Sequence, residues 1–420
     1  MPSLIADGES RLSLWLRVRE FAVPPSMIEL ATARRAAFDW AAACAAARVD
    51  VDLNLRAVAR TRGAEFAARI RADLRHLAPD LLRWHLPRIA PDGLLRPGLT
   101  ISLARYDDVH LVVRTPPAWA DAGQRFSLAL WDRADPGGPR PDRRFRLDLH
   151  RHLWDARRSG ELRDRSIVER AGRWAAEAAI LLRSEGCSGG AVTVRLGHRR
   201  RLILELTGTG AVRVSPDPVR GWAAALPVLP DAATWELPDL ALLRAGLIEP
   251  DRLHPLVAAA LAPGHPRRPT PAPEPGTGPR LVACRGAEHR IALVDGMLVP
   301  LDHSPDEIRR EELLAALTGT PVPCLQAIDE AHRGPAELVD VRARLDHGDV
   351  AGALAVVESL LGPQAVLRGG DLRDELENAV LRQLTHRLFR AGLAGRTPLP
   401  ADRDERSRRR GRPSSFSHPR

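Results

Sequence analysis

A proline-rich stretch interrupts this chain and constrains how it can fold. The stretch "APGHPRRPTPAPEPGTGPR" lies past the middle of the 420 residues, and its prolines favour an extended connection over a helix or a strand. We therefore predict a Pro-rich linker at residues 263–280, between a larger part at 28–262 and a smaller part at 281–395. The remaining residues, 396–420, have the composition of a disordered Arg-rich tail.

Helical periodicity comes first in the larger part. From about Ile28 to Ile89 apolar residues recur every three or four positions. One such face is formed by Phe66, Ile70, Leu74, Leu77, Leu81 and Trp84. Pro79 interrupts this face, and since proline sits easily in a first turn, a new helix is expected to begin there.

Alternating patterns follow and predict antiparallel sheets. Three such segments are "LTISLARYDDVHLVVR", with a turn at Asp107 and Asp108, "RFSLALWD" and "RFRLDLH". A helix comes next, with Ser166 and Glu169 spaced as a capping box. The segment "AVTVRLGHRRRLILELTGTGAVRVS" then reads as a three-stranded meander.

The smaller part begins with another meander and continues as helices. The meander is "LVACRGAEHRIALVDGMLVPLDH", with a hairpin turn at Asp295-Gly296. Ser304 and Glu307 predict a capped helix ending at Gly319, and a helical hairpin around Gly348 is similar to one tetratricopeptide-type unit. The predicted class is therefore α+β: a helical N-terminal region with antiparallel β-meanders, then a smaller C-terminal domain of a β-meander plus a helical bundle.

Lysine is absent, so all 62 basic residues are arginine. Walker A nucleotide-binding loops, protein kinases and pyridoxal enzymes each need a lysine at a fixed position. The composition excludes these classes and is typical of proteins from GC-rich bacterial genomes.

Charge and hydropathy limit the cellular location and the binding partners that we expect for this protein. The chain carries a net charge of +9, of which residues 401–420 contribute +4 and the linker +2. The folded parts are thus close to balanced and give no sign of a polyanion-binding face. No stretch approaches the roughly 18 apolar residues of a membrane span, and the N-terminus mixes acids with short apolar runs, unlike a signal peptide. We expect a soluble, cytoplasmic protein with no membrane partner.

The start of the chain admits two interpretations. Met27 precedes the first helical pattern. If it is the initiator, residues 1–26 precede the true start, and we therefore set 1–27 apart as an extension or a mis-called start.

Cysteines give no metal-binding pattern by spacing alone. Cys44, Cys187, Cys284 and Cys324 are widely separated and form no C-x-x-C pair. They are interpreted as buried thiols in a reducing compartment, and no cofactor is expected.

One segment carries candidate metal ligands. In "RFRLDLHRHLWD", Asp148, His150 and His152 alternate, so a strand would place all three on one face, near Asp155. Imidazoles with a carboxylate can hold a divalent ion that activates water. The alternative is a solvated strand face, since no fourth ligand is evident.

Three short motifs match the residue patterns of known functional motifs but lack the structural context that those motifs require. "GCSGG" at residues 186–190 has hydrolase-elbow spacing around Ser188, but it follows a helix and precedes a strand, the reverse of the required order. "IDEAH" at residues 328–332 spells a helicase box without the lysine of a nucleotide loop. "TGTG" at residues 207–210 lies between predicted strands and indicates a hairpin turn.

The tail contains a candidate nucleic-acid motif. The sequence "RRRGRPSS" resembles the AT-hook, whose glycine lets the backbone lie deep in the minor groove while arginines enter it. The resemblance covers Arg409, Arg410, Gly411, Arg412 and Pro413. It implies weak, salt-dependent contact with nucleic acid. The alternative is a solubilising disordered end.

No catalytic arrangement satisfies its structural context in this sequence. The leading hypothesis is a non-enzymatic protein-interaction or regulatory protein that binds other proteins. The alternatives are a DNA-binding protein that uses the tail and a metal-dependent enzyme with a site around His150 and His152.

Overall fold

The protein has the α+β fold predicted from the sequence. A computed structural model describes residues 11–134, 137–167, 170–196, 200–207, 212–216, 226–265, 279–284, 286–319 and 321–393. Two antiparallel meanders and the C-terminal helices form as expected. None of the helices within these ranges combines the length and the apolar composition of a membrane-spanning segment.

The first region is helical, with one short strand inside it. Its elements are α1 (11–17), a π-helical turn (Val18–Ala22), α2 (Pro25–Ala36), α3 (Trp40–Ala46), β1 (Val49–Asp52), α4 (Leu55–Arg62), α5 (Ala64–His76) and α6 (Pro79–His85). The predicted restart at Pro79 is confirmed, because Pro79 is the first residue of α6. Ile70, Leu74 and Leu81 are buried, as their spacing predicted.

The main sheet follows and has the strand order β1-β6-β5-β4. A separate two-stranded hairpin precedes it and consists of β2 (Arg88–Ile89) and β3 (Leu94–Leu95). The strands that join β1 in the main sheet are β4 (Thr100–Tyr106), β5 (Val109–Arg114) and β6 (Phe126–Asp132). The turn at Asp107 is confirmed. The sheet is not purely antiparallel, since β1 pairs in parallel with β6, Val49 opposite Phe126. Sequence reasoning missed β1 because its four residues lie within a helical pattern.

The strand predicted for "RFRLDLH" is not formed. Arg146 makes a single bridge to Ser102, and a 3₁₀-helix follows at Arg151–Leu153. The segment buries Phe145 and Leu147 in the core, and the Trp154 Nε1 donates to the Leu147 carbonyl at 2.9 Å. Tertiary packing thus overrides the alternating pattern.

A second sheet packs on a helix. Two helices precede this sheet along the chain, α7 (Glu161–Ile167) and α8 (Arg170–Ser184). Its strands are β7 (Gly190–Leu196), β8 (Arg200–Leu206) and β9 (Val212–Pro216). Three helices follow, α9 (Asp231–Thr234), α10 (Pro238–Arg244) and α11 (Pro255–Leu261). The meander β7-β8-β9 is antiparallel as predicted. Ser166 lies inside α7 rather than capping a helix, so that capping prediction is wrong. Glu169 lies outside the described residues.

One large hydrophobic core joins the N-terminal helices, the main sheet, α10 and α11. It includes Leu14, Trp15 and Val18 from α1 and the π-helical turn. The segment considered as an extension therefore contributes buried side chains to the main core.

The C-terminal part is a meander followed by helices. Its elements are β10 (Arg280–Cys284), β11 (Ala287–Val294), β12 (Met297–Pro300), α12 (Pro305–Thr318), α13 (Pro323–Arg333), α14 (Leu338–His347), α15 (Val350–Leu361) and α16 (Asp371–Arg390). The hairpin turn at Asp295-Gly296 and the capping box of Ser304 and Glu307 are confirmed.

The two parts contact each other through α14 and α16. Arg48 donates to the His347 carbonyl at 2.8 Å, and His386 Nδ1 lies 2.9 Å from the Ala120 carbonyl. The backbones of Gly123 and Gly348 approach so closely that a Cβ at either glycine would collide with the other. Most of the predicted linker lies outside the described residues.

Candidate metal centre

Two cysteines and two histidines of the C-terminal part meet at one point. Cys284, His289, His303 and Cys324 each present a ligand atom, and the four atoms lie within 4.8 Å of one another. Both cysteines are buried, and both histidines are partly exposed when the backbone is counted, although the His303 side chain itself is only 4% exposed. Within the residues that the structure describes, no second group of three or more potential ligands comes together in this way.

The meander supplies three of these side chains. Cys284 is the last residue of β10, and His289 lies on β11. His303 follows β12 in a loop held by Asp302, which accepts from the Arg290 backbone N–H at 2.6 Å and from its side chain at 2.7 Å. The Arg290 guanidinium and this backbone N–H lower the pKa of Asp302 to about 2. The loop is thereby fixed against β11.

Helix α13 supplies the fourth side chain. Pro323 is its first residue, in the position where a missing N–H costs no hydrogen bond. Cys324 follows in the first turn, fully buried. Its Sγ lies 3.8 Å from His289 Nδ1, so the cluster joins the meander to the helical bundle.

The two imidazoles face each other at the centre of the cluster. His289 Nδ1 and His303 Nε2 are 2.6 Å apart, and the rings are roughly perpendicular. Tetrahedral zinc bonds of about 2.0–2.3 Å place neighbouring ligand atoms roughly 3.3–3.8 Å apart. The observed separations match a single small cation after small side-chain shifts.

A carboxylate lies behind one of the histidines. His303 Nδ1 is 3.5 Å from Glu311 Oε2, and both side chains are about 95% buried. This carboxylate–histidine arrangement commonly orients the ring of a metal ligand and increases its basicity. Glu311 is also the buried residue of α12, so the pair attaches this helix to the cluster.

The donor set fits zinc in a structural role. Two sulfurs and two imidazole nitrogens form the tetrahedral Cys₂His₂ set of closed zinc sites, with no position open for water. Burial, with a contribution from the Cys284 thiol, raises the pKa of Cys324 to about 12. A coordinated cation has the opposite effect, because a metal-bound thiol is deprotonated.

The predicted ligands around His150 have other partners. Asp148 accepts three hydrogen bonds from Arg146, at 2.8, 2.9 and 3.2 Å. His150 Nδ1 lies 3.0 Å from the Arg146 carbonyl, and its Nε2 lies 3.1 Å from Glu177. His152 Nδ1 accepts from Arg165 at 3.0 Å. Asp155, the fourth residue considered there, accepts from Arg151.

Charge around His152 opposes cation binding. Burial, together with the Arg165 guanidinium, lowers the pKa of His152. Arg165 also donates two hydrogen bonds to Glu177, and His150 and Arg165 hold the pKa of Glu177 at about 2 against the effect of burial. These contacts form a buried ion-pair network, and metal binding by Asp148, His150 and His152 stays a prediction.

The other predicted motifs are placed as follows. Ser188 lies between α8 and β7, in a helix-to-strand loop, and Asp329 and Glu330 lie on α13, where Asp329 pairs with Arg333. The AT-hook-like residues Arg409, Arg410, Gly411, Arg412 and Pro413 lie outside the described residues, as do residues 208–210 of "TGTG".

Sequence reasoning missed the metal centre because it considered the cysteines without the histidines. The interpretation as buried thiols is confirmed for Cys44, Cys284 and Cys324 and is wrong for Cys187, which is exposed. That Cys284 and Cys324 share one cluster was not predicted. The spacing C-x₄-H-x₁₃-H-x₂₀-C lacks the closely paired ligands of common zinc motifs. The usable signal was the presence of His289 and His303 within a meander that begins with Cys284.

Comparisons with known proteins supply no family for the chain. No protein-family model, curated protein or solved structure matches it.

Proposed function

We propose that this chain is a non-enzymatic protein-interaction or regulatory protein whose C-terminal part is stabilised by one Zn²⁺. The observation that carries the proposal is the closed cluster of Cys284, His289, His303 and Cys324. Zinc held by four protein ligands contributes folding free energy rather than catalysis. This zinc replaces the expectation that no cofactor is bound.

The helix attached to the cluster supports the interaction role. Helix α12 exposes Leu313, Leu314 and Leu317, with Leu317 85% exposed. Clustered exposed apolar side chains mark protein-binding surfaces. Because Glu311 links α12 to His303, the zinc would hold this surface in place.

A reducing compartment suits such a site. Thiolate ligands persist where disulfides do not form, so we place the protein in the cytoplasm.

The test compares three tagged preparations purified without chelator: the wild type, Cys324→Ser and Cys187→Ser. The Cys187 thiol is exposed and remote from the cluster, which makes Cys187→Ser a matched control. We expect about one zinc per chain in the wild type and the control, and a small fraction of that in Cys324→Ser, since one of four ligands is lost. Absence of stoichiometric metal from all three would contradict the proposal.

The same preparations also test the interaction role. After nuclease treatment, co-purifying proteins are identified by mass spectrometry. We expect partners that are retained by Cys187→Ser and reduced with Cys324→Ser. Material that disappears with nuclease would instead favour DNA binding through the tail.

A further inference from the structure

Helix α16 is attached to the rest of the protein by one of its faces. Leu372 and His386 are buried on this face, and Leu376 and Ala379 pack against the hydrophobic cluster of the C-terminal part. These residues follow one another at the steps that keep to one side of an α-helix. A surface helix of a globular protein ordinarily has one such apolar side and a polar side opposite to it.

The opposite side of α16 is also apolar. Four large side chains lie there and are exposed: Val380 at 68%, Leu381 at 54%, Leu384 at 52% and Leu388 at 39%. Because they recur at steps of three and four positions, they form one continuous row along the helix, which we call the α16 stripe. A contiguous exposed apolar surface of this kind marks a site of protein association.

Opposite charges lie at the two ends of the α16 stripe. Glu377 precedes it by about one turn, and its side chain is 58% exposed. It accepts from Arg373 at 2.7 Å through Oε1, and because a carboxylate can accept several hydrogen bonds, it can bind a second guanidinium. Arg387 lies near the other end, is exposed, and forms no ion pair with any residue that the structure describes.

This order of charges fits a second copy of the chain in one orientation. In an antiparallel pair of α16 helices about a two-fold axis, the level of Val380 in one copy can coincide with that of Leu384 in the other. Glu377 lies three residues before Val380, and Arg387 lies three residues after Leu384. The register that joins the apolar side chains therefore also joins Glu377 to Arg387, twice in the pair. A parallel pair in register would instead set like charges against each other.

We propose that the protein forms a two-fold symmetric dimer in which α16 packs antiparallel on α16 of a second copy. The two α16 stripes bury each other, and each Glu377 pairs with Arg387 of the other copy. The helix has 20 residues and spans about 30 Å, so the interface is small and the dimer exchanges with monomer. This dimer goes beyond the proposed function, since it uses neither α12 nor the zinc ligands.

The mass of the full-length protein in solution tests the dimer. Sedimentation equilibrium is measured in a reducing buffer, which prevents disulfides through the exposed Cys187. We expect the mass to increase about twofold, from one chain towards two, as the chain concentration rises to roughly 100 µM. A mass of one chain throughout this range would overturn the proposal.

Two leucine variants locate the interface. Leu384→Glu places a charge in the middle of the α16 stripe and should raise the Kd of the dimer at least about tenfold. Leu317→Glu makes the same change on α12, where Leu317 is also exposed, and should leave the Kd unchanged. Both side chains are exposed in the single chain, so both variants should fold, which circular dichroism checks. A dimer that Leu384→Glu leaves intact, or that Leu317→Glu removes, would show that α16 is not the interface.

Two charge reversals test the antiparallel register. Glu377→Arg and Arg387→Glu each set like charges against each other at both ends of the interface, so each alone should raise the Kd about tenfold or more. In an equimolar mixture, the two arginines of one variant face the two glutamates of the other. The mixed dimer should recover the Kd of the wild type to within about threefold. Single variants that dimerise as tightly as the wild type, or a mixture that stays monomeric, would contradict the antiparallel arrangement.

Discussion

At the scale of single residues, a buried arginine makes hydrogen bonds inside this fold that a lysine could not make. Arg83 is fully buried and donates to the backbone carbonyls of Ala22 and Gln124, at 2.9 and 2.7 Å. The guanidinium carries five donors in a fixed plane, whereas an ammonium carries three at one point. Arg83 can therefore link the N-terminal turn to the loop before β6.

Buried histidine should make stability depend on pH. His347 is 2% exposed, and burial lowers its pKa to about 4, against a smaller opposing effect of the Ala343 carbonyl. Arg88 and Arg83 lower this pKa further. Above about pH 6.5 the ring is neutral in both states. As the pH falls from 6.5 to 4, the unfolded chain binds a proton that the folded chain does not, so stability decreases.

We expect His347→Gln to remove up to about 3 kcal/mol of this pH dependence. Urea unfolding of the wild type and the variant between pH 7.5 and pH 4.5 measures it. The comparison cancels the contributions of His85 and of the metal ligands, which both proteins share. Parallel curves for the two proteins would show that His347 titrates normally.

At the scale of elements, the features predicted correctly from the sequence are those that depend on residues close together in the chain. The Asp295-Gly296 turn, the Ser304 cap and the face of α5 were predicted because turn geometry, capping and helical periodicity depend on neighbouring residues. Strand β1 and the "RFRLDLH" segment were mispredicted because their conformations depend on distant partners, Phe126 and Ser102.

The segment before Met27 provides a test at this scale. A chain that starts at Met27 loses Trp15, Val18 and Phe21, all buried. Each such side chain contributes roughly 1.5–3 kcal/mol by its burial, a sum comparable to the total stability of a typical domain. We expect this shortened chain to lose cooperative unfolding of the N-terminal part, measured by circular dichroism in urea. An unfolding midpoint equal to that of the full chain would show that residues 1–26 are dispensable.

At the scale of the whole molecule, the candidate metal centre and the interface between the two parts were not predictable from the sequence. The ligands span Cys284 to Cys324, and their meeting depends on how α13 docks on the meander. The interface likewise depends on distant pairs, such as Arg48 with His347. The sequence predicted the elements that carry these residues, but it contains no spacing rule that joins them.

Two sulfurs and two nitrogens are proposed to hold one zinc ion in this protein. X-ray absorption at the zinc edge of the purified full-length protein measures the number and the type of these ligands. We predict a first shell of about two sulfurs near 2.3 Å and about two nitrogens near 2.0 Å. A shell of oxygen and nitrogen alone, or no bound zinc, would contradict the proposed Cys₂His₂ site.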